Sequence, residues 1–144
     1  MPLPELTLGL VVRYEYLWHR RAATTETGDK ERPACVVATF RRPGLRDNFV
    51  IYLPISHTPP SGDEEGVELP DAVKAKAGLD AAPQWVLVSE CNVDAWPFDL
   101  RPLPGQPENF HHGHLPPGMF KTIRDRFVER YRGKRVKLVE RDGA

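Results

Sequence analysis

Three polar residues that could act together on a phosphate stand apart in the sequence: Arg32, Ser56 and His57. They flank two runs of β-branched and aromatic residues, 34–40 and 49–55, and the stretch between these runs is rich in turn-forming residues. This pattern predicts an antiparallel β-hairpin. Because the start of the first strand lies beside the end of the second, the hairpin brings a guanidinium, a hydroxyl and an imidazole to one end of the sheet.

A second group of chemically useful residues follows the strand that alternation predicts over 8–16: Trp18, His19, Arg20 and Arg21. The stretch 17–31 has neither helical nor strand periodicity, so we predict a long loop, and long loops in small domains often carry function. An indole can stack on a nucleobase and arginines can pair with phosphates. The alternative is that Trp18 anchors the loop on the core while the arginines are exposed.

The middle of the chain supplies two further strands and a short helix. Residues 66–69 form the first strand, and a helix follows with Asp71 as its N-cap and Gly78 as its end. Residues 85–90 form the second strand, which ends at the carboxylate of Glu90.

The last third of the chain is irregular until one clear helix begins. Residues 91–118 show no periodicity, and prolines crowd 97–118, so we predict extended, irregular chain there. Over 117–132 apolar residues recur at spacings of three and four, which predicts an amphipathic helix that ends at Gly133. Its other face is basic, but core packing is favoured over nucleic-acid binding. The tail 133–144 fits an edge strand, a partner contact or a disordered segment.

Length and composition indicate the class of fold. With 144 residues, 40% hydrophobic and 28% charged, the chain fits one compact domain, 1–144, whose barrel core covers about 8–100. Several short strands, two helices of unequal length and no βαβ rhythm predict a mainly β fold with appended helices, an α+β class. We expect a small barrel or a strongly curved sheet.

Charge does not by itself identify a partner. The 20 basic and 20 acidic residues balance, so net charge gives no reason to expect a polyanion. The charges are nevertheless segregated, since 13–46 and 101–144 are mainly basic and 61–100 is mainly acidic. The folded chain could therefore display a basic face.

Cysteine and histidine usage argues against disulfides and metals. The two cysteines, Cys35 and Cys91, lie in apolar contexts, and we predict buried free thiols. The histidines of the sequence HHGH, at His111, His112 and His114, could ligate zinc or nickel, but adjacent histidines rarely share one ion, so a polar loop is favoured. We predict no metal and no cofactor. The absence of a signal-peptide pattern and of a long apolar run predicts a cytoplasmic protein without membrane contact.

The order of these segments resembles the MazF/PemK/Kid family of toxin endoribonucleases from bacterial type II toxin–antitoxin pairs. In that family one strand opens with Arg-Pro and small apolar residues, as at 32–37 here, and the next ends in Pro-Ile-Thr or a similar triplet, as at 54–56. A Gly-Leu segment (78–79), a strand ending near an acidic residue (86–90) and a closing helix (115–131) follow in the same order. The resemblance covers nearly the whole chain.

This resemblance implies an SH3-like barrel, a homodimer, an antitoxin partner and metal-independent cleavage of single-stranded RNA by a ribose 2′-hydroxyl. Arg32 would stabilise the phosphorane with its planar fork of donors, and Ser56 would donate to a phosphate oxygen. Glu90 lies close to the family's catalytic carboxylate. His57 and His19 have no family counterpart and enter on chemistry alone, as groups that can exchange protons near neutral pH.

One departure and one alternative accompany the resemblance. Val88 stands where many members carry a basic residue. The alternative function is a binding or regulatory module on the same fold, which would hold RNA, a peptide or a small ligand without cleaving it. Trp18, Arg20, Arg32 and Trp96 would form its rim.

Overall fold

The computed structural model describes residues 3–21 and 30–141. Within these residues a mainly antiparallel sheet of eight strands carries two α-helices and one short 3-10 helix. The strands are β1 Leu10–Tyr16, β2 Lys30–Arg41, β3 Asn48–Ser56, β4 Gly66–Glu68, β5 Trp85–Leu87, β6 Glu90–Ala95, β7 His111–His114 and β8 Lys137–Glu140. The helices are the 3-10 helix His19–Arg21, α1 Asp71–Lys76 and α2 Pro117–Arg132. The α+β class is confirmed; the sheet does not close, so the barrel stays a prediction.

The predicted hairpin is present as β2 and β3. These strands pair antiparallel from Ala34 opposite Pro54 to Arg41 opposite Asn48. On its other side β3 pairs first with β6 and then, at Ile55 and Ser56, with β5. The neighbour of β3 therefore changes between Tyr52 and Ile55, close to the end of the hairpin where Ser56 stands.

Alternation along β1 divides the core between the two faces of the sheet. Val12, Tyr14 and Tyr16 contribute to a cluster rich in aromatic residues, whereas Val11 belongs to a second, mainly aliphatic cluster. Successive side chains of a strand point to opposite faces, so neighbouring residues enter different clusters. Helix α2 covers the second cluster with residues of its apolar stripe.

Both helices occur where the sequence predicts them, with one correction at α1. The N-cap of α1 is Pro70, and Asp71 lies inside the first turn, so Asp71 is not the capping residue. The rigid ring of a proline before the helix sets the extended conformation that an N-cap needs. Gly78 ends the helix at φ +70, a conformation that glycine adopts without strain.

The prediction of irregular chain over 91–118 is wrong at both ends, because β6 and β7 lie within it. All six residues of β6 are buried, so the strand has no alternation to reveal it. Strand β7 is composed of the polar sequence HHGH and forms through backbone pairing with β1. The interpretation of 85–90 also changes: β5 ends at Leu87, and Glu90 begins β6 instead of ending a strand.

The tail contributes β8, which pairs in parallel with β6, so the prediction of an edge strand in the tail is confirmed for these residues.

Cys35 and Cys91 are buried free thiols, as predicted, and burial raises the pKa of each to about 12. Within residues 3–21 and 30–141, neither α-helix has the length and apolar character needed to cross a bilayer.

Candidate functional site

One cavity of about 600 Å³ lies at the end of the hairpin opposite its turn, and it is lined by Arg32, Ser56 and His57. Arg32 enters β2, Ser56 ends β3, and His57 begins the turn that follows. The antiparallel register of β2 and β3 places these positions at the same end of the sheet. The prediction that the three side chains meet at one end of the sheet is therefore confirmed.

The cavity is basic, because two further arginines, Arg13 and Arg20, line it with Arg32, against the carboxylates of Glu31 and Glu64. Sequence reasoning missed Arg13. The alternation of apolar and polar residues in β1 could have indicated Arg13, which stands between buried residues and pairs opposite Pro33 on β2. Arg13 pairs with Glu31, with 3.7 Å between Nε and Oε1, and the remaining positive charge of the lining favours an anionic ligand.

Trp18 belongs to the core and is only 5% exposed. The guanidinium carbons of Arg20 and Arg32 lie 5.0 and 4.8 Å from the centre of its ring. Each cation–π contact is worth roughly 1 kcal/mol, so the indole holds both arginines at the cavity. This arrangement matches the anchoring alternative for Trp18; a base could stack on the ring only after a guanidinium had left it.

His57 is held by Asp80, an aspartate that the sequence patterns did not predict to be part of the site. Its Nε2 donates to Oδ2 of Asp80 at 2.8 Å. The other oxygen, Oδ1, accepts from the backbone N–H of Ala82 at 3.0 Å and from Nε2 of the buried Gln84 at 3.2 Å. The hydrogen bond from His57 lowers the pKa of Asp80.

Asp80 is therefore fixed on one side and aimed at the imidazole on the other, an arrangement that orients acid–base histidines. The available sequence signal was an aspartate just after a helix stop, where such side chains bond to the backbone two residues on.

The Ser56 hydroxyl is engaged in the turn that carries His57. It accepts from the backbone N–H of Thr58 at 3.0 Å and lies 3.2 Å from the Thr58 carbonyl, to which it donates. The side chain thus shapes the turn, and donation to a phosphate would require its hydrogen to rotate away.

Glu90 lies in an adjoining cavity of about 460 Å³ together with His19. Its Oε2 accepts from the Tyr16 hydroxyl at 3.2 Å and from the backbone N–H of His19 at 2.8 Å. Burial raises the pKa of Glu90 against the opposing effect of these hydrogen bonds. Glu90 therefore lines a different cavity from Arg32 and His57, and Arg20 lines both cavities.

The remaining predicted binding residues are more dispersed. His19 and Arg20 are exposed in the 3-10 helix, and the side chain of Arg21 lies outside the described residues. Trp96 is half-buried against the aromatic core cluster and does not line the cavity of Arg32. It is therefore not part of the same rim as Trp18 and Arg20.

The three histidines of β7 make separate contacts. Nδ1 of His111 accepts from the backbone N–H of Gly113, Nδ1 of His112 donates to the Ala77 carbonyl, and Nε2 of His114 lies 2.6 Å from the Thr7 hydroxyl. Across the described ranges 3–21 and 30–141, no group of three His, Cys, Asp or Glu side chains is arranged to hold a metal ion.

No protein-family model, no curated protein and no solved structure matches this chain. The geometry of the two cavities therefore carries the functional inference.

Proposed function

We propose that this chain is a metal-independent endoribonuclease of the MazF/PemK/Kid type, which cleaves single-stranded RNA in the cavity of Arg32. One observation carries the proposal: a guanidinium and an aspartate-held imidazole, Arg32 and His57, line the same basic cavity. These are the two kinds of group that cleavage by an internal nucleophile requires, a stabiliser of phosphorane charge and a proton acceptor.

In the proposed reaction the 2′-oxygen attacks the adjacent phosphorus and the bond to the 5′-oxygen breaks. A cyclic phosphate and a free 5′-hydroxyl result. Arg32, with Arg13 and Arg20, binds the phosphate and stabilises the charge that develops on its oxygens. His57 accepts the 2′-proton through the ring nitrogen that does not contact Asp80.

The leaving 5′-oxygen needs a proton, and Glu90 is the candidate donor. Burial raises its pKa, which favours the protonated carboxyl that a general acid needs. In this assignment the leaving nucleoside points across Arg20 toward the cavity that contains Glu90.

The family resemblance extends the proposal to the assembly. The eight-stranded sheet would correspond to the family's SH3-like barrel. The chain would form a homodimer, and an antitoxin protein would bind it in the cytoplasm. The basic loop Trp18–Arg21 would contact RNA beside the cavity, with Trp18 acting through the arginines stacked on it.

The test is incubation of the purified protein with mixed-sequence single-stranded RNA in the presence of a chelator. Arg32→Ala and His57→Ala should each lower the cleavage rate by about 100-fold or more. Arg46→Ala is the matched control, because it removes an exposed arginine at the other end of the hairpin. Products should carry cyclic phosphate ends. Equal cleavage by wild type and both cavity variants would show that the activity resides elsewhere.

A non-cleaving RNA-binding module is the second candidate function. One observation favours it: Glu90 lies in a different cavity from Arg32 and His57. This candidate predicts that RNA remains intact with wild-type protein while Arg32→Ala still weakens its binding. End mapping and a binding measurement on the same samples distinguish the two functions.

A further inference from the structure

The cavity of Glu90 has a basic wall that the proposed chemistry does not use. It is lined by five Lys and Arg side chains and three carboxylates, and its far side is the corner between α2 and β8. It shares Arg20, Ser61 and Glu64 with the cavity of Arg32. The two cavities therefore adjoin at these residues, and an RNA strand bound at Arg32 would reach the second cavity over Arg20.

Two of the five cations are already neutralised. Arg130 and Arg135 both bind Asp63, at 3.3 and 3.1 Å, and Arg130 also reaches Glu65 at 3.3 Å. Arg130 is 5% exposed, so this network ties α2 to the loop before β4 and builds the wall. These arginines support the cavity and leave little charge for a ligand.

Lys134 and Lys137 retain their charge for a ligand. Both are exposed, and neither forms an ion pair with any carboxylate among the described residues 3–21 and 30–141. The parallel register of β6 and β8 places Lys137 opposite Glu90, the candidate acid. Lys137 and Glu90 therefore lie on neighbouring strands and line the same cavity.

The backbone at Lys134 is strained. Its φ is +56, in the left-handed region, whereas Gly133 beside it has φ −81. A left-handed conformation is unfavourable for a residue with a Cβ, and glycine adopts it freely. This conformation ends α2 in a Schellman turn, in which the N–H of Lys134 donates to the Tyr131 carbonyl at 3.1 Å and the N–H of Arg135 donates to the Arg130 carbonyl at 2.8 Å. The turn carries Lys134 into the lining of the second cavity.

From these observations we infer that Lys134 and Lys137 bind the RNA phosphate that follows the cleaved one on its 3′ side. The inference rests on the proposed endoribonuclease function for its substrate. The direction follows from Glu90: the 5′-oxygen that it protonates belongs to the nucleoside on the 3′ side, so that nucleoside and its next phosphate enter the second cavity. The site recognises the backbone, since an ammonium reads charge and not base identity.

The first test measures binding without cleavage, with mixed-sequence 2′-O-methyl RNA as the probe because it lacks the nucleophile. The variant Lys134→Gly with Lys137→Ala should raise Kd about tenfold near 0.15 M salt, and the slope of log K against log salt should fall by about 0.7 per lost contact. The matched control is Lys76→Ala with Lys121→Ala, which removes two lysines outside both cavities. Unchanged Kd and slope in the cavity variant would overturn the inference.

The second test uses cleavage and the mapped cut site. A substrate trimmed to the leaving nucleoside should lose about tenfold in kcat/KM with wild type, and the cavity variant should cut trimmed and full substrates equally. Dependence on 5′ extension instead would overturn the 3′ assignment.

The two proposals fail in different ways. If wild type does not cleave and the cavity variant still binds more weakly, the endoribonuclease proposal and the 3′ direction fail while the phosphate site stands. If wild type cleaves and the cavity variant is indistinguishable from it, only the phosphate site fails.

Discussion

Replacing Asp94 by asparagine should remove a loss of stability that the wild type undergoes between pH 5 and pH 8. Asp94 lies on β6 with no exposed surface and accepts a hydrogen bond from the Tyr14 hydroxyl at 2.8 Å. Burial, together with a hydrogen bond to Asp99, raises its pKa from 3.8 to about 8. The protonated side chain is thus the stable form in the folded protein over most of the physiological range.

The sign of the effect follows from proton counts. Between about pH 4 and pH 8 the folded protein keeps a proton that the unfolded chain loses, so the free energy of unfolding falls as pH rises. Each pKa unit corresponds to about 1.4 kcal/mol, and about three units lie between pH 5 and pH 8, which sets an upper limit of roughly 4 kcal/mol for that interval. Asp94 is coupled to its neighbour Asp99, so we expect about half of that limit, ~2 kcal/mol.

Asparagine has no carboxyl proton to lose. Its single side-chain oxygen can accept from either the Tyr14 hydroxyl or the backbone N–H of Ala95, so the test compares pH dependences and not absolute stabilities. Urea unfolding at pH 5 and pH 8 measures the effect. Wild type should lose ~2 kcal/mol more than Asp94→Asn between these pH values. Asp47→Asn, an exposed change in the hairpin turn, is the control and should behave as wild type. Parallel pH dependence of wild type and Asp94→Asn would refute the reasoning.

Three further predictions concern the helix end, the acid–base pair and the core. Lys134→Gly should raise the free energy of unfolding by about 0.5 to 1 kcal/mol in urea titrations, because glycine relieves the left-handed strain. Asp80→Asn should lower kcat of RNA cleavage by about 10-fold or more at unchanged KM and alter the pH–rate profile, because His57 loses its orienting carboxylate. Phe127→Ala should lower the free energy of unfolding by about 3 to 4 kcal/mol, because Phe127 is buried. Tyr131→Ala should lower it by less than about 1 kcal/mol, because Tyr131 is 56% exposed, and thermal unfolding of the two variants measures the difference.

Each of these predictions has an outcome that contradicts it. If Lys134→Gly lowered the free energy of unfolding, the contacts of the lysine side chain would stabilise the fold by more than its left-handed backbone conformation destabilises it. If Asp80→Asn lowered kcat by the same factor at every pH, so that the shape of the pH–rate profile stayed unaltered, Asp80 would have a structural role only. Equal costs at Phe127 and Tyr131 would show that α2 packs through a different face.

Local sequence patterns determined the hairpin, its convergent ends and the closing helix. Turn-forming residues between two β-rich runs define β2 and β3, and antiparallel pairing alone brings Arg32 and His57 to one end. The three-and-four spacing over 117–132, with prolines before it and Gly133 after it, defines α2. These features depend on backbone conformation and periodicity, which neighbouring residues specify.

Tertiary packing decided the remaining elements and most of the site. Strand β6 buries the polar Asn92 and Asp94 because the backbone of residue 17 and the Tyr14 hydroxyl bind them from across the chain. The contact of Asp80 with His57 and the register of Lys137 opposite Glu90 likewise join segments far apart in sequence. No local pattern encodes such pairs, since a buried polar side chain is recognisable only from the distant partner that satisfies it.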